Sequence, residues 1–126
     1  MDKVLRTKDL EHTVLEYHKN YIISTVKEDV VVGHVEVNSY IKVCTEFYKD
    51  TNFVYISLRK NNYNVNPVIY PELVNDIQGL RGIGIVCPQA SKISTAKFES
   101  SFVDFPFEIF TALEDAVEWA RELTKT

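Results

Sequence analysis

A dense apolar run at Phe53–Leu58, with Ser57 as its one polar residue, restricts the fold of this chain more than any other feature of the sequence. The run reads FVYISL and lacks the polar–apolar alternation that is typical of a strand with one solvated face. Six residues is a usual length for a strand and is short for a helix. We therefore expect a central strand of a sheet that is covered on both of its faces.

The residues before this run favour short strands that are joined by tight turns. Strands are predicted at Thr13–Tyr17, Tyr21–Val26 and Val30–Val32, with turns at residues 18–20 and 27–29. Together they are expected to form an antiparallel meander. Residues 1–12 are weakly patterned and are predicted to form an N-terminal arm or a short helix, so that the domain proper covers residues 13–126.

Helices and strands alternate through the rest of the sequence. Apolar residues recur every three or four positions from Val37 to Tyr48, which is one face of an amphipathic helix. Further helices are predicted from Pro71 up to Gly82, over Ala90–Val103 and after a capping box at Thr111–Glu114. The candidate core positions of the second of these are Ile93, Ala96, Phe98 and Phe102. Further strands are predicted at Gly82–Pro88, where Gly84 would mark a close backbone approach, and at Phe107–Phe110.

This order of elements predicts a single-domain α/β fold with a mixed sheet. The chain has 126 residues, of which 45% are hydrophobic, and this is enough for one domain with one core. Strands that are separated by helices need crossover connections and are expected to be parallel. The predicted sheet therefore begins with antiparallel strands, continues with parallel ones, and is packed against about four helices.

Charge and hydropathy disfavour several classes of protein. The formal net charge is -4, and the sequence pI is about 5.3, whereas a nucleic-acid-binding protein usually carries a basic face. No apolar stretch reaches the roughly 20 residues that span a bilayer, and the polar N-terminus lacks a signal-peptide core. We expect a cytoplasmic protein without a membrane span, in which Cys44 and Cys87 are buried free thiols.

The candidate binding residues follow two strands that are expected to be parallel. A first group comes directly after the central strand and consists of Arg59, Asn61, Asn62, Tyr63 and Asn64. Gln89 and Lys92 follow the next parallel strand, so both groups should meet at one edge of the sheet if the two strands are neighbours. Guanidinium, amide and phenol groups can all bind a polar ligand. The alternative is that this Asn-rich stretch is a plain connecting loop, because Asn tolerates turn conformations.

The sequence nominates no catalytic residue, no metal ligand and no cofactor. His12, His18 and His34 are scattered and form no metal-binding spacing. Cys87 has no base assigned to it, and the Gly82–Gly84 pair lies in a strand instead of opening a helix as a phosphate-binding loop does. We therefore expect a protein that is not an enzyme.

Three stretches of the sequence resemble the SpoIIAA-like branch of the STAS/SEC14 superfamily. They read FVYISLRKNNYNVNP, LRGIGIVCPQASK and FPFEIFTALEDAVEWAREL, and the resemblance extends over roughly Thr13–Leu123. It implies a mixed sheet with helices packed on it, and a role in regulation or ligand binding. We expect a non-enzymatic regulatory or protein-interaction module that binds a protein partner or forms a homodimer. The alternative that it leaves open is a domain for a small-molecule or lipid-like, apolar ligand.

The resemblance extends to the anti-sigma-factor antagonists of the wider STAS group. In those proteins, a serine that follows a central strand is phosphorylated by a partner kinase. The matching region here is Arg59–Pro71, which contains no Ser, Thr or Gly. Ser57 lies within the predicted strand, where its hydroxyl should be shielded. The departure from the family pattern predicts a module without the serine switch.

Overall fold

A computed structural model describes residues 3–125 and has the predicted alternation of helices and strands. A 3-10 turn at Ala90–Lys92 precedes the third helix. The strands and helices are β1 (Arg6–Asp9), β2 (Thr13–Tyr17), β3 (Tyr21–Val26), β4 (Val31–Val32), α1 (His34–Tyr48), β5 (Phe53–Leu58), β6 (Asn64–Val65), α2 (Ile69–Asp76), β7 (Leu80–Val86), α3 (Ile93–Ser100), β8 (Phe107–Phe110) and α4 (Leu113–Leu123).

The predicted fold class is confirmed. Six strands form one mixed sheet in the order β1-β2-β3-β5-β7-β8. The first two pairings, β1 with β2 and β2 with β3, are antiparallel, whereas β3, β5, β7 and β8 run parallel to one another. Strands β3, β5 and β7 are therefore consecutive neighbours whose carboxyl ends lie at the same edge of the sheet.

The third strand of the predicted meander leaves the main sheet. Val31 and Val32 form β4, which pairs in parallel with β6 at Asn64 and Val65 in a separate two-stranded sheet. The meander prediction was wrong at this point. The pairing of a two-residue strand depends on which unpaired backbone lies next to it in the folded chain, and the local sequence pattern does not show this. Its partner lies within the stretch that the sequence marked as an Asn-rich loop.

The segment that was expected to be an arm contains a strand. Residues Arg6–Asp9 form β1 and pair with β2, and the side chains of all four are exposed. Their sequence, RTKD, carries no apolar alternation, so the backbone pairing with β2 holds them in place and periodicity could not reveal it. Met1 and Asp2, which belong to the same predicted arm, lie outside the described residues.

Strand β5 separates two hydrophobic cores, as its dense apolar sequence predicted. Phe53 and Tyr55 point into the core beneath α1, α2 and α3, while Val54 and Ile56 point into the smaller core beneath α4. All four side chains are buried. Because successive side chains of a strand point to opposite faces, a strand covered on both sides is apolar at most positions, and the one polar residue of β5, Ser57, is hydrogen-bonded to Tyr63.

Two predicted helix boundaries were wrong. Helix α2 ends at Asp76, and Gly82 lies inside β7 instead of ending the helix. The residue that caps α4 is Ala112, with no side-chain hydrogen bond, so the predicted capping box at Thr111 is absent. The buried stripe of α4 on Ala116, Val117 and Ala120 nevertheless agrees with the sequence pattern, because packing against the sheet sets that stripe.

Of the four candidate core residues predicted around α3, Ala96 is buried and Ile93 is partly buried, whereas the two aromatic residues lie outside the core. Phe98 and Phe102 are 61% and 37% exposed, and their rings contact each other edge to face at 5.2 Å between centroids. Ala96 and Glu99 are the buried residues of the helix. A carboxylate on the inner face was not expected, since it needs a charged partner in the core.

Both cysteines are buried free thiols, as predicted. Within the described residues, no helix is both long enough and apolar enough to cross a membrane.

Two glycines make contacts that are too close for a side chain at their own positions. A Cβ atom at Gly79 would lie 2.2 Å from the backbone carbonyl oxygen of Thr51, and one at Gly82 would lie 2.5 Å from the side-chain atom Cδ2 of Leu123. At Gly84, the nearest atom would be Trp119 Cζ3 at 3.5 Å, which is an ordinary contact. The close backbone approach that the sequence placed at Gly84 therefore occurs at Gly79, and Gly82 lies close against side chains of α4.

The substitution Gly79→Ala should lower the free energy of unfolding by about 1–3 kcal/mol, because the new methyl group strikes backbone that cannot move aside. Gly84→Ala is the matched control, and we expect it to be neutral or to stabilise by up to about 1 kcal/mol through reduced entropy of the unfolded chain. Urea unfolding of both variants measures the difference. Equal effects of the two substitutions would show that the contact at Thr51 is not tight.

Candidate functional site

Polar side chains from three loops meet at the edge of the sheet where β3, β5 and β7 end. Asp29 follows β3, the stretch from Arg59 to Asn64 follows β5, and Lys92 follows β7. The sequence placed two of these loops together on the condition that their strands were neighbours, and the parallel pairing of β5 with β7 meets that condition.

Backbone hydrogen bonds hold the first two loops against each other. The Asp29 N–H donates to the Asn62 carbonyl at 2.8 Å, and the Asn64 N–H donates to the Val30 carbonyl at 3.0 Å. The Asn62 N–H donates to the Glu28 carboxylate at 2.7 Å. The Asn-rich stretch is therefore tied down along its length, because β6 and its flanking residues extend the pairing with β4.

A side-chain contact connects the third loop to the other two. Lys92 Nζ donates a hydrogen bond to Asn62 Oδ1. Together the three loops enclose a cleft of about 370 Å³, which lies within the range of small-molecule sites in proteins. Its lining is mostly polar and consists of Asp29, Arg59, Asn62, Tyr63, Asn64, Lys92 and Thr95.

A buried ion pair stands behind the cleft. The Arg59 guanidinium donates to both carboxylate oxygens of Glu99, from Nη1 at 2.7 Å and from Nη2 at 2.5 Å. Arg59 is 6% exposed and Glu99 is 3% exposed. The two-pronged geometry is the strongest that an arginine makes with a carboxylate, and here it joins the end of β5 to α3.

Two tyrosines complete the network around this ion pair. The Tyr70 hydroxyl donates to Glu99 Oε1 at 2.5 Å and accepts a hydrogen bond from Arg59 Nη2 at 3.3 Å. The Tyr63 ring lies 5.6 Å from the Arg59 guanidinium, which is within the range of a cation–π contact. The Tyr63 hydroxyl and Ser57 Oγ are hydrogen-bonded at 2.9 Å. Ser57 is 4% exposed, so its hydroxyl is shielded as predicted.

Burial and charge set the protonation of this network. Burial alone lowers the pKa of Arg59, but the hydrogen bonds and the charge of Glu99 outweigh it, so the pKa of Arg59 is raised overall. Burial, followed by the negative charge of Glu99, raises the pKa of Tyr70 well above its ordinary value. The guanidinium is therefore charged, and the Tyr70 hydroxyl keeps its proton and remains a hydrogen-bond donor at neutral pH.

A small interior cavity lies on the other side of Arg59 and Tyr63. Its volume is about 20 Å³, which suits roughly one water molecule. Arg59 and Tyr63 line both this cavity and the cleft, and they form the wall between the two spaces. Apart from Ser57, the remaining lining is aromatic and aliphatic, with Tyr40, Tyr55 and Tyr70 among its members.

The structure brings five of the seven predicted binding residues to the cleft, namely Arg59, Asn62, Tyr63, Asn64 and Lys92. The other two lie outside its lining. The Asn61 amide donates to the Val26 carbonyl at 2.9 Å and fastens the loop to the end of β3. Gln89 is exposed at the start of the 3-10 turn, where its carbonyl accepts from the Lys92 N–H.

Four residues of the cleft and its supporting network were not predicted: Asp29, Tyr70, Thr95 and Glu99. Asp29 comes close to the Asn-rich stretch through the pairing of β4 with β6, which no local pattern announces. Glu99 carried one usable signal, because it stands one turn after Ala96 on the face of α3 that is free of bulky aromatics.

The groups at this edge of the sheet suit binding better than nucleophilic chemistry. Burial raises the pKa of the Cys87 thiol above its ordinary value, which keeps the thiol protonated at neutral pH. Burial raises the pKa of Cys44 to about 12. Within residues 3–125, no group of three His, Cys, Asp or Glu side chains is placed to hold a metal ion.

Comparison with known proteins identifies no relative. The chain matches no family model, and neither the curated proteins nor the solved structures contain a significant match to it. The resemblance to the SpoIIAA-like branch therefore stays a prediction from the sequence, and the site must be interpreted from its own chemistry.

Removing one partner of the buried ion pair should strongly destabilise the protein. We expect Glu99→Leu to lower the free energy of unfolding by about 3–5 kcal/mol, because it leaves the Arg59 charge buried without a partner. The double variant Arg59→Met/Glu99→Leu should recover most of this loss, since both charges are then absent. Urea denaturation of the three proteins measures both effects.

The exposed pair of Lys125 with Glu122 provides the control, and Glu122→Gln should change stability by less than about 1 kcal/mol. A Glu99→Leu variant as stable as Glu122→Gln would contradict the assignment of the buried pair. So would a double variant that is less stable than Glu99→Leu.

Proposed function

We propose that this chain is a non-enzymatic binding module whose ligand is a small polar molecule held in the cleft. The observation that carries the proposal is the convergence of Asp29, Asn62, Asn64 and Lys92 from three loops around one cleft of about 370 Å³. Sites outside the carboxyl ends of parallel strands are common in α/β proteins, because successive loops meet there.

The rigidity of the surroundings supports this proposal. A binding site gains affinity when its groups are already in place, since less conformational entropy is lost on binding. The pairing of β4 with β6 orders the loops that carry Asp29 and Asn64, and the Arg59–Glu99 pair orders the wall behind them. Asn side chains with fixed backbones can present both a donor and an acceptor to the ligand.

The polarity of the lining favours a polar ligand over a lipid-like one. Asp29, Asn62 and Asn64 are exposed side chains that an apolar ligand would cover without offering them hydrogen bonds. Covering polar groups in this way costs free energy. The neighbouring interior cavity, at about 20 Å³, has no room for an acyl chain.

The substitution Asn64→Ala tests the proposal. Ligand-observed NMR would first identify the compounds that bind, from a set of free amino acids, monosaccharides, carboxylic acids and nucleosides. Asn64→Ala should weaken binding of such a compound by about five- to tenfold, which corresponds to the loss of one hydrogen bond. The free energy of unfolding should stay within about 0.5 kcal/mol of the wild-type value, because the pairing of β6 uses the backbone of Asn64 and not its side chain.

Asn75→Ala is the matched control, because Asn75 is an exposed asparagine of α2 outside the cleft lining. It should leave the affinity unchanged. The proposal fails if no compound of any class binds, or if the two alanine variants bind equally well.

A second candidate is a regulatory protein-interaction role through a homodimer, which the exposed ring pair of Phe98 and Phe102 favours. The Arg59–Glu99 pair anchors the buried face of α3. Phe98 lies on the exposed face of this helix, and Phe102 lies in the turn that follows it. Exposed aromatic pairs are more typical of interfaces than of free surface.

Sedimentation equilibrium over a concentration series tests the homodimer. The wild-type chain should dimerise, and Phe98→Ser/Phe102→Ser should remain monomeric with an unchanged fold. Val35→Ser is the control, because Val35 is an apolar residue that is 74% exposed at the start of α1. A wild-type chain that is monomeric at every concentration would contradict this candidate and would leave the cleft proposal untouched.

A further inference from the structure

We infer that the ligand of the cleft is a small zwitterion of the free amino acid type, with its ammonium group beside Asp29 and its carboxylate beside Lys92. The inference rests on the proposed binding function and names the class of ligand.

The charges that line the cleft are of both signs and stand apart. Arg59 is engaged with Glu99, so its charge is balanced within the protein. Asp29 and Lys92 are the other charged members of the lining, and they do not form an ion pair with each other. Apart from the paired Arg59, the lining therefore offers one negative and one positive group, which is the pattern complementary to a zwitterion.

The carboxylate of Asp29 is well placed to receive an ammonium group. Its backbone has a φ of 63°, in the left-handed region that Asp tolerates, and its N–H is bonded to the Asn62 carbonyl. No residue of the described chain, from 3 to 125, bonds or pairs with its side chain. The loop is thus held in a demanding conformation, and the carboxylate at its tip lines the cleft.

Lys92, the positively charged residue on the other side of the proposed site, has hydrogen-bond donors available for a carboxylate. Lys92 Nζ carries three N–H groups, and its hydrogen bond to Asn62 Oδ1 uses one of them. The Nε–H of Arg59 is buried and has no hydrogen-bond partner among the described residues. This atom has almost no accessible surface, so the donors that a carboxylate in the cleft can reach are those of Lys92.

Other ligand classes fit this lining less well. A phosphate group with two negative charges would meet the repulsion of Asp29, and a diamine would meet that of Lys92. A monosaccharide could use Asn62, Asn64 and Thr95 but would leave both charges without a counter-charge. A free amino acid satisfies both charges, and its side chain can lie along Tyr63.

Titration of the isotope-labelled full chain tests the inference, with backbone amide shifts at Asp29, Asn64 and Thr95 as the readout. The probes are L-serine, which carries both charges, acetate, which carries the negative one alone, and ethanolamine, which carries the positive one alone. L-serine should bind at least about tenfold more tightly than either of the other two, because each lacks one charge-assisted contact. Asp29→Asn and Lys92→Gln should each weaken L-serine binding by about tenfold.

Asp76→Asn and Lys97→Gln make the same charge changes at exposed positions outside the lining and should leave the affinity unchanged. Acetate or ethanolamine binding as tightly as L-serine would overturn the inference, and so would an Asp29→Asn variant with wild-type affinity. Binding of a monosaccharide at the same amides, without L-serine, would overturn the inference and leave the proposed function standing. If no compound of any class binds, both the inference and the proposed function are overturned.

Discussion

The ion pair between Arg59 and Glu99 is the interaction on which the edge of this sheet depends. It joins the residue that directly follows the central strand to the inner face of α3, and Tyr70 of α2 donates to the same carboxylate. Two buried charges are tolerated only when they are paired and hydrogen-bonded, so the three elements must keep one relative position. That position forms the wall between the cleft and the interior cavity.

The short pairing of β4 with β6 has a comparable effect on the other side of the cleft. It involves two residues in each strand, yet it turns a polar stretch into ordered backbone and brings Asp29 beside Asn62. The cleft is thus framed by a buried ion pair on one side and by backbone hydrogen bonds on the other. Neither the ion pair nor the β4–β6 backbone pairing uses the side chains of Asn64 and Lys92, which line the cleft.

The prediction from sequence succeeded where long runs of apolar residues decide the structure. The strand Phe53–Leu58, the helix that ends at Tyr48 and the buried stripe of α4 all follow from side-chain period and burial, which act over neighbouring residues. It was wrong where short or polar segments depend on distant partners, as at β1 and β4. At α3 it was right for Ala96 and wrong for Phe98 and Phe102, because the inner face carries Glu99 and no aromatic ring.

For this protein, the sequence by itself determined the fold class, the central strand and the loops in which polar chemistry would be found. Tertiary structure alone decided which polar side chains meet, because hydrogen bonds and ion pairs between distant residues leave no periodic trace. It assigned Arg59 to a buried pair, turned Asn61 toward the end of β3, and added Asp29 and Thr95 to the cleft. The physical reason is that the burial of a helix or strand requires apolar residues at regular spacings along the sequence. Complementarity between charges on distant residues arises only once the chain has folded.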